Sequence, residues 1–179
     1  MLEQAGVQFE SVPANIDESA EKARRADPGA LATALAQAKA LAVSTGRPGD
    51  WVIGSDSVAS IDGRLFEKPR DRIQAAEHLR FFSGKEMALT SAAALARDGA
   101  VDWSYCDSAL LQVRVLSEDF IQAYLDVEWP DVGLCVGVFR LEGRGAQLFD
   151  NIDGSFFTIL GMPLLPLLGA LRDRGALGR

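Results

Sequence analysis

The chain has 179 residues, 48% of them hydrophobic and 24% charged, which is the composition of a water-soluble globular protein long enough to bury a core. Its net charge of -7 excludes a non-specific binder of nucleic acid or of anionic membrane, although a locally basic pocket for a small anion is still allowed. The two cysteines, Cys106 and Cys135, match neither a metal-ligand nor a redox spacing, and a reduced, cytoplasmic setting is expected.

Met1-Leu2-Glu3-Gln4 lacks the basic start and apolar run of a signal peptide. Leu2 to Ala5 read as a last helical turn closed by Gly6, and Val7, Phe9 and Ser11 as a short strand. Asp27-Pro28 is an N-cap with proline in the first turn, and Leu31, Leu35, Ala38 and Ala42 mark a helix running to about Thr45. Trp51-Val52-Ile53 is a short buried strand, Arg70 to Phe82 a helix, and Met87–Ala96 and Asp107–Val115 are strands around an Asp98-Gly99 turn. Ser117-Glu118 opens a helix through Leu125, with Phe120, Ile121 and Tyr124 on one side. Leu134–Leu141 and Ala146–Phe149 are two further strands. Gly154 to Leu171 carries no formal charge, but Gly161, Pro163, Pro166 and Gly169 interrupt it. That argues for a buried strand, SFFTIL, turning into a helix rather than for a membrane span. With no repeat and no linker, one α/β domain over residues 1–179 is expected.

The stretch WVIGSDSVASIDGRLFEKP places Asp56 just after an apolar run and Lys68 beyond a turn. If Asp62-Gly63 form the centre of a type I′ turn, Ile61 pairs with Arg64, and Ser57 comes opposite Lys68. Strict alternation would point Asp56 and Lys68 to opposite faces, so a shared site needs a bulge or twist. Two readings stand: a ligand site at the end of a buried strand, or a surface ion pair beside a hairpin. His78, the one histidine, sits in a helix without a partner histidine or cysteine and is expected to be structural. Trp51, Trp103 and Trp129 are core or rim residues.

GSDS followed by DG and KP resembles the strand-loop-hairpin signature of the Maf family of nucleoside triphosphate pyrophosphatases. AGVQFE with Asp17-Glu18, LATALAQAKA around Lys39, HLRFFSG, GVFRLEGRGAQLF and TILGMPLLPLL agree in order. CVGVFRLEGRG, Cys135 to Gly145, is similar to the branch acting on 7-methyl-GTP rather than to the dTTP and UTP branch. The resemblance implies a mixed, twisted sheet flanked by helices with a central nucleotide groove, in a homodimer. It also implies hydrolysis of a nucleoside triphosphate to the monophosphate and pyrophosphate with Mg²⁺ or Mn²⁺. It carries the general base onto Asp56, the acidic metal-binding pair onto Asp17 and Glu18 with Asp56 as a further metal ligand, and phosphate-contacting lysines onto Lys39 and Lys68. The base-discriminating positions fall on Ser57 and Glu142. The family's opening strand and S-x-S-x-x-R loop have no counterpart in the sequence. That leaves a second expectation of another class, a non-catalytic nucleotide-binding or septum-related interaction protein.

The chemistry of these residues leaves alternatives. Cleaving a triphosphate needs cations to offset phosphate charge and an oriented water. Lys39, on the border of the apolar stripe, either reaches such a site or merely snorkels. Asp17, Glu18 and Asp56 offer the hard oxygens that Mg²⁺ or Mn²⁺ takes, though an Asp-Glu pair alone reads equally as a solvated loop. A Glu142 carboxylate can accept from both N1–H and the N2 amino group of guanine, whereas uracil or thymine offers one donor between two acceptors. The plain alternative is that Glu142 pairs with Arg140 or Arg144 on a strand surface.

Overall fold

The computed structural model describes residues 1–24 and 27–178. It contains a five-stranded antiparallel sheet in the order β2-β1-β3-β4-β5, with β1 Val52–Ile61, β2 Arg64–Phe66, β3 Glu86–Arg97, β4 Ala100–Val113 and β5 Phe149–Asp153. The helices are α1 Ser19–Arg24, α2 Pro28–Ser44, α3 Arg72–Phe82, α4 Glu118–Glu128, α5 Phe156–Ile159 and α6 Leu164–Asp173. This is the α/β class read from the sequence, with an antiparallel sheet where the resemblance implied a mixed one. Among the described residues no helix is long and apolar enough to cross a membrane.

The chain divides into two compact units. The first comprises Met1–Ser57, Thr90–Asp107 and Ser155–Arg179; the second comprises Val58–Leu89 and Ser108–Gly154. No linker marks this division in the sequence, because β1, β3 and β4 each contribute residues to both.

In the first unit, Leu2 to Val7 close a turn of the expected kind. Val7 N–H donates to Leu2 O and Gly6 N–H to Glu3 O, with Gly6 at φ 76, the hydrogen-bond pattern of a helix end. The strand expected at Val7, Phe9 and Ser11 is not there. The alternation is real but nothing pairs with it in the sheet, and Phe9 stays 56% exposed. Helix α2 begins as read, with the Asp27 carboxylate accepting from Ala30 N–H at 2.7 Å. Its Leu31, Ala32, Leu35, Ala36 and Ala40 are all buried. Ala93 and Leu95 of β3 form a core cluster with Leu167, Ala170 and Leu171 of α6, and Trp51, Ile53 and Met162 pack on it. SFFTIL is a short helix, α5, not a strand: its apolar run buries Thr158 and Ile159 but leaves Phe156 49% exposed. A run this short does not distinguish the two conformations by periodicity.

In the second unit the Asp62-Gly63 turn forms as expected, both residues at positive φ (53° and 74°), with Ile61↔Arg64, Ser60↔Leu65 and Ala59↔Phe66 in register. Pairing stops there, so Lys68 lies past the end of β2 and the Ser57–Lys68 pair extrapolated from the turn is not made. Helix α3 starts two residues later than expected, behind its Asp71 N-cap, and packs against α4, which the Ser117 hydroxyl caps. His78 is buried against the rings of Phe66 and Phe82, as expected of a structural histidine. Burial lowers its pKa, with Arg64 acting in the same direction, which keeps the ring neutral.

The segment after α4 departs most from the sequence reading. Leu134–Leu141 is a series of turns behind a 3₁₀ turn at Asp131–Leu134, and Ala146–Leu148 belongs to a second 3₁₀ turn, Arg144–Leu148. The last strand is instead Phe149–Asp153. Glycines override the apolar run. A Cβ on Gly137 would meet the Phe139 ring at 2.5 Å, and one on Gly145 would meet Arg140 O at 2.4 Å. The chain folds onto itself where a strand would extend.

Candidate active site

Strand β1 sorts its side chains by parity. Gly54 and Asp56 face α2, while Ser55 and Ser57 face the other way, as successive strand residues must. At Gly54 the helix backbone comes as close as a chain can: a Cβ there would stand 2.1 Å from Ala36 O and 2.6 Å from Ala40 N. Only glycine fits. This contact brings Lys39, on the neighbouring turn of α2, to Asp56, two residues along the same face of the strand.

The Lys39 ammonium donates to Asp56 Oδ1 at 2.5 Å and lies 2.9 Å from Glu18 Oε1, while Glu18 Oε2 is 3.1 Å from Lys22 Nζ. Two carboxylates, one from the loop before α1 and one from β1, therefore share one cation. The Asp56 side chain is only 14% exposed. Burial raises its pKa above the ordinary value, the Lys39 ammonium pulls it back without cancelling the rise, and the charge of Glu18 adds to it. Burial alone would lower the Lys39 pKa, but the two carboxylates outweigh it and hold the ammonium charged. Glu18 moves the other way, its burial overcome by Lys39 and Lys22, so it stays ionised. Beside Lys39, Glu18, Gly54 and Ser55 opens a cavity of about 700 Å³, also walled by Trp51 and Met162. That is within the range of small-molecule sites.

The opposite face of β1 is tied down by hydroxyls. Ser55 Oγ is 2.8 Å from both Ala92 O and Gly161 O, Ser57 Oγ is 2.7 Å from Ser91 Oγ, and Ser91 donates to Thr158 O at 2.7 Å. Thr158 Oγ1 donates to the Asp107 carboxylate at 2.6 Å. The strand carrying Asp56 is thus fixed to β3, β4 and the TILG turn from behind.

In the second unit Lys68 and Glu142 are both exposed, and neither has a hydrogen bond or ion pair among the described residues. Both act on the Cys135 thiol: burial raises its pKa, Glu142 raises it further and Lys68 lowers it. Arg140 is committed elsewhere, with Nη2 3.2 Å from Glu128 Oε2 and Nη1 3.0 Å from Asp131 Oδ2. The plain reading in which Glu142 pairs with Arg140 is not what forms.

Comparison with known proteins agrees with the quoted motifs. A family described as "Maf-like protein" matches residues 1–174. The chain belongs to the Maf-like family. Among its relatives are a protein of Rhizobium etli named 7-methyl-GTP pyrophosphatase, 47% identical over 99% of this chain and 91% of the relative, and a protein of Nitrobacter hamburgensis named nucleoside triphosphate pyrophosphatase, 46% identical over 99% and 89%. A 7-methyl-GTP pyrophosphatase of Rhizobium meliloti is 44% identical over 99% of this chain and 91% of its own length.

In this Maf-like chain the residues singled out from the sequence fall into separate groups. Glu18, Lys39 and Asp56 converge in the first unit, whereas Lys68 and Glu142 lie in the second, where the charge of each acts on the Cys135 thiol. Ser57 lies in the hydroxyl network on the strand face away from Asp56. Asp17 is exposed and engaged just ahead of α1, its Oδ1 accepting from Ser19 N–H at 2.9 Å and from the Ser19 hydroxyl at 2.6 Å. No group of three or more His, Cys, Asp or Glu arranged to hold a metal ion occurs among the described residues. Two carboxylates converging on one cation still fit Mg²⁺, which is held by one or two carboxylates together with substrate phosphates. Sequence reasoning missed Gly54, Ser55, Ser91 and Thr158. The signal for the first two was present in the alternation of GSDS itself.

Proposed function

We propose that the chain is a nucleoside triphosphate pyrophosphatase that takes a guanine-type nucleotide and releases the monophosphate and pyrophosphate. The observation that supports this most is the buried Asp56 carboxylate held against the Lys39 ammonium, itself shared with Glu18. The names of relatives from Rhizobium and Nitrobacter, at 44–47% identity over nearly the whole chain, point to the same chemistry.

Asp56 is the general base. Its carboxylate takes a proton from water as the water oxygen bonds to the α-phosphorus, and the bond to the oxygen bridging the α- and β-phosphorus breaks, releasing pyrophosphate. Burial raises the Asp56 pKa, which makes the carboxylate a better proton acceptor, and the hydroxyls behind β1 keep it from turning away. An ammonium has three donors. Lys39 uses two on Asp56 and Glu18, and the third is left for a phosphate oxygen. A divalent cation, when bound, would neutralise charge developing on the phosphates, and Glu18 and Asp56 are the residues to hold it. Lys68 serves as a phosphate contact and Glu142 as the acceptor for the guanine edge. Both assignments follow the resemblance. Ser57, assigned to base discrimination by the same resemblance, contributes by fixing β1. The homodimer implied by the resemblance belongs to the proposal, and light scattering on the eluted protein tests it.

The test is Asp56→Asn. With Mg²⁺ and 7-methyl-GTP or GTP, pyrophosphate release should fall by ~10²–10⁴-fold while the circular dichroism spectrum is unchanged. Equal turnover in mutant and parent removes the assignment. Orthophosphate as the sole inorganic product would mean that a different bond is cut.

A further inference from the structure

Glu142 stands on a turn that has no regular secondary structure to hold it, yet a bidentate base contact needs its carboxylate aimed. The second unit supplies the hold from α4. Tyr124 and Glu128 lie four residues apart, hence on one face of that helix, and both are buried. The Tyr124 hydroxyl donates to Val138 O at 3.1 Å, and Glu128 Oε2 accepts from Arg140 Nη2 at 3.2 Å. Two neighbouring turns of one helix therefore hold positions 138 and 140 of the loop. Val138 is a β-branched residue at φ 57, a conformation that a free loop would not keep.

From Arg140 the turn is built outward. Gly143 N–H donates to Arg140 O at 3.1 Å, and Gly145 lies so close to the Arg140 backbone that a Cβ there would stand 2.4 Å from O and 2.7 Å from N. Leu141 and Glu142 are the residues looped out between these contacts. The guanidinium also reaches Asp131 at 3.0 Å, and its Nε is buried without a partner among the described residues. The pairing is costly. Glu128 is a buried carboxylate at the C-terminal end of a helix, where the helix dipole disfavours negative charge. Only the Glu128 end is buried, the Arg140 side chain being 39% exposed, so the pair adds little net stability while it ties the guanidinium to α4.

We infer that Arg140, anchored by Glu128 and Asp131, is a positioning residue that aims Glu142 and so sets the enzyme's preference for a guanine-type base. Nothing is asked of Arg140 at the bond being cut. The inference rests on the guanine reading of Glu142, and the experiment separates the two.

The measurement is kcat/KM for 7-methyl-GTP and for UTP with Mg²⁺, in the parent, Arg140→Lys, Glu142→Gln and the double variant. Lysine keeps the charge but cannot span Glu128 and Asp131 with a fork. Arg140→Lys should reduce the 7-methyl-GTP/UTP ratio about tenfold, within what a bidentate base contact supplies. The loss should appear mainly in KM for 7-methyl-GTP. In the Glu142→Gln background the same substitution should change the ratio by less than about twofold, because the group it aims is gone. Glu128→Gln gives the same pattern and serves if Arg140→Lys does not fold, as checked by thermal melting. An Arg140→Lys ratio equal to that of the parent overturns the inference, as does a uniform loss on both nucleotides or an effect that multiplies fully onto Glu142→Gln. If Glu142→Gln leaves the ratio unchanged, or the parent prefers UTP, the guanine reading fails and this inference falls with it. If only the Arg140 arm fails, the guanine reading stands.

Discussion

Gly54→Ala adds one methyl group at the point where β1 and α2 touch, and the structure gives the size of the conflict. The new Cβ would stand 2.1 Å from Ala36 O, 2.6 Å from Ala40 N and 3.0 Å from Ala40 Cβ. Two of these atoms are helix backbone, so no rotamer change relieves the contact and the helix must back away by about 1 Å or the strand must bend. Overpacking of this kind costs ~1–3 kcal/mol and occasionally more. For a chain of this size each kcal/mol lowers Tm by roughly 2–4 °C, so a fall of about 2–12 °C is expected by calorimetry. The same retreat carries Lys39 away from Asp56, now 2.5 Å apart. A misplacement of about 1 Å can cost ~10²-fold in rate, so pyrophosphate release should drop by one to two orders of magnitude well below the new Tm. Adding Ala40→Gly removes only the mildest of the three clashes and should rescue neither property. The reasoning is refuted if Gly54→Ala melts within a degree or two of the parent and turns over normally, or if Ala40→Gly restores it.

The shared cation makes opposite predictions for pH. Asp56 acts as base only when ionised, and its pKa lies above the ordinary carboxylate value, so activity should be lost as pH falls through that raised value. Removing the ammonium in Lys39→Met takes away the influence that lowers it and should move the acid limb of kcat/KM up, whereas Glu18→Gln removes a charge that raises it and should move the limb down. Shifts in the same direction would show that the limb does not belong to Asp56. Of the acidic pair, Glu18→Gln should raise the Mn²⁺ concentration for half-maximal activity by about tenfold, a loss typical of disturbing a metal-site group. Asp17→Asn, at a residue already engaged with Ser19, should raise it much less; a larger effect from Asp17 would reverse the assignment of the metal ligands. Thr158→Val should lower Tm by a few degrees, since it leaves Asp107 and the turn behind β1 without their hydrogen bond, an effect of ~1–3 kcal/mol.

Where each helix and strand carries a local signal, it could be read in advance. Asp27-Pro28 and Ser117 mark helix starts because each side chain satisfies a backbone N–H that the helix leaves open, and both do so here; Asp71 does the same for α3, whose start the sequence reading places at Arg70 instead. Asp62-Gly63 and Asp98-Gly99 mark hairpins because they tolerate positive φ, and they adopt it. The misreadings share a cause. Val7 to Ser11 alternate as a strand does, but alternation does not provide a pairing partner. Leu134 to Leu141 form an apolar run such as a buried strand carries, yet Gly133, Gly137, Gly143 and Gly145 bring the chain back on itself. Ala100–Val113 is longer than its apolar run because the outer part of β4 is largely exposed or half-buried, so hydrophobicity could not mark its start.

The candidate site was legible in its charges but not in its geometry, and the reason lies in two periodicities that meet. On β1 a period of two sends Gly54 and Asp56 to one face and Ser55 and Ser57 to the other. On α2 the small residues Ala32, Ala36 and Ala40 recur every four positions and are fully buried, making a smooth strip on which a strand can lie. Neither pattern names a site. Superposed, they leave one glycine wide enough for helix–strand contact and, one step further along each element, a lysine and an aspartate with nowhere else to go. The carboxylate is then too buried to be solvated well, which raises its affinity for a proton, close enough to the ammonium for that rise to be held back in part, and held from behind by serines that the same alternation turned the other way. A proton acceptor of that kind follows from packing, and the chemistry proposed for Asp56 needs nothing more from the strand than this.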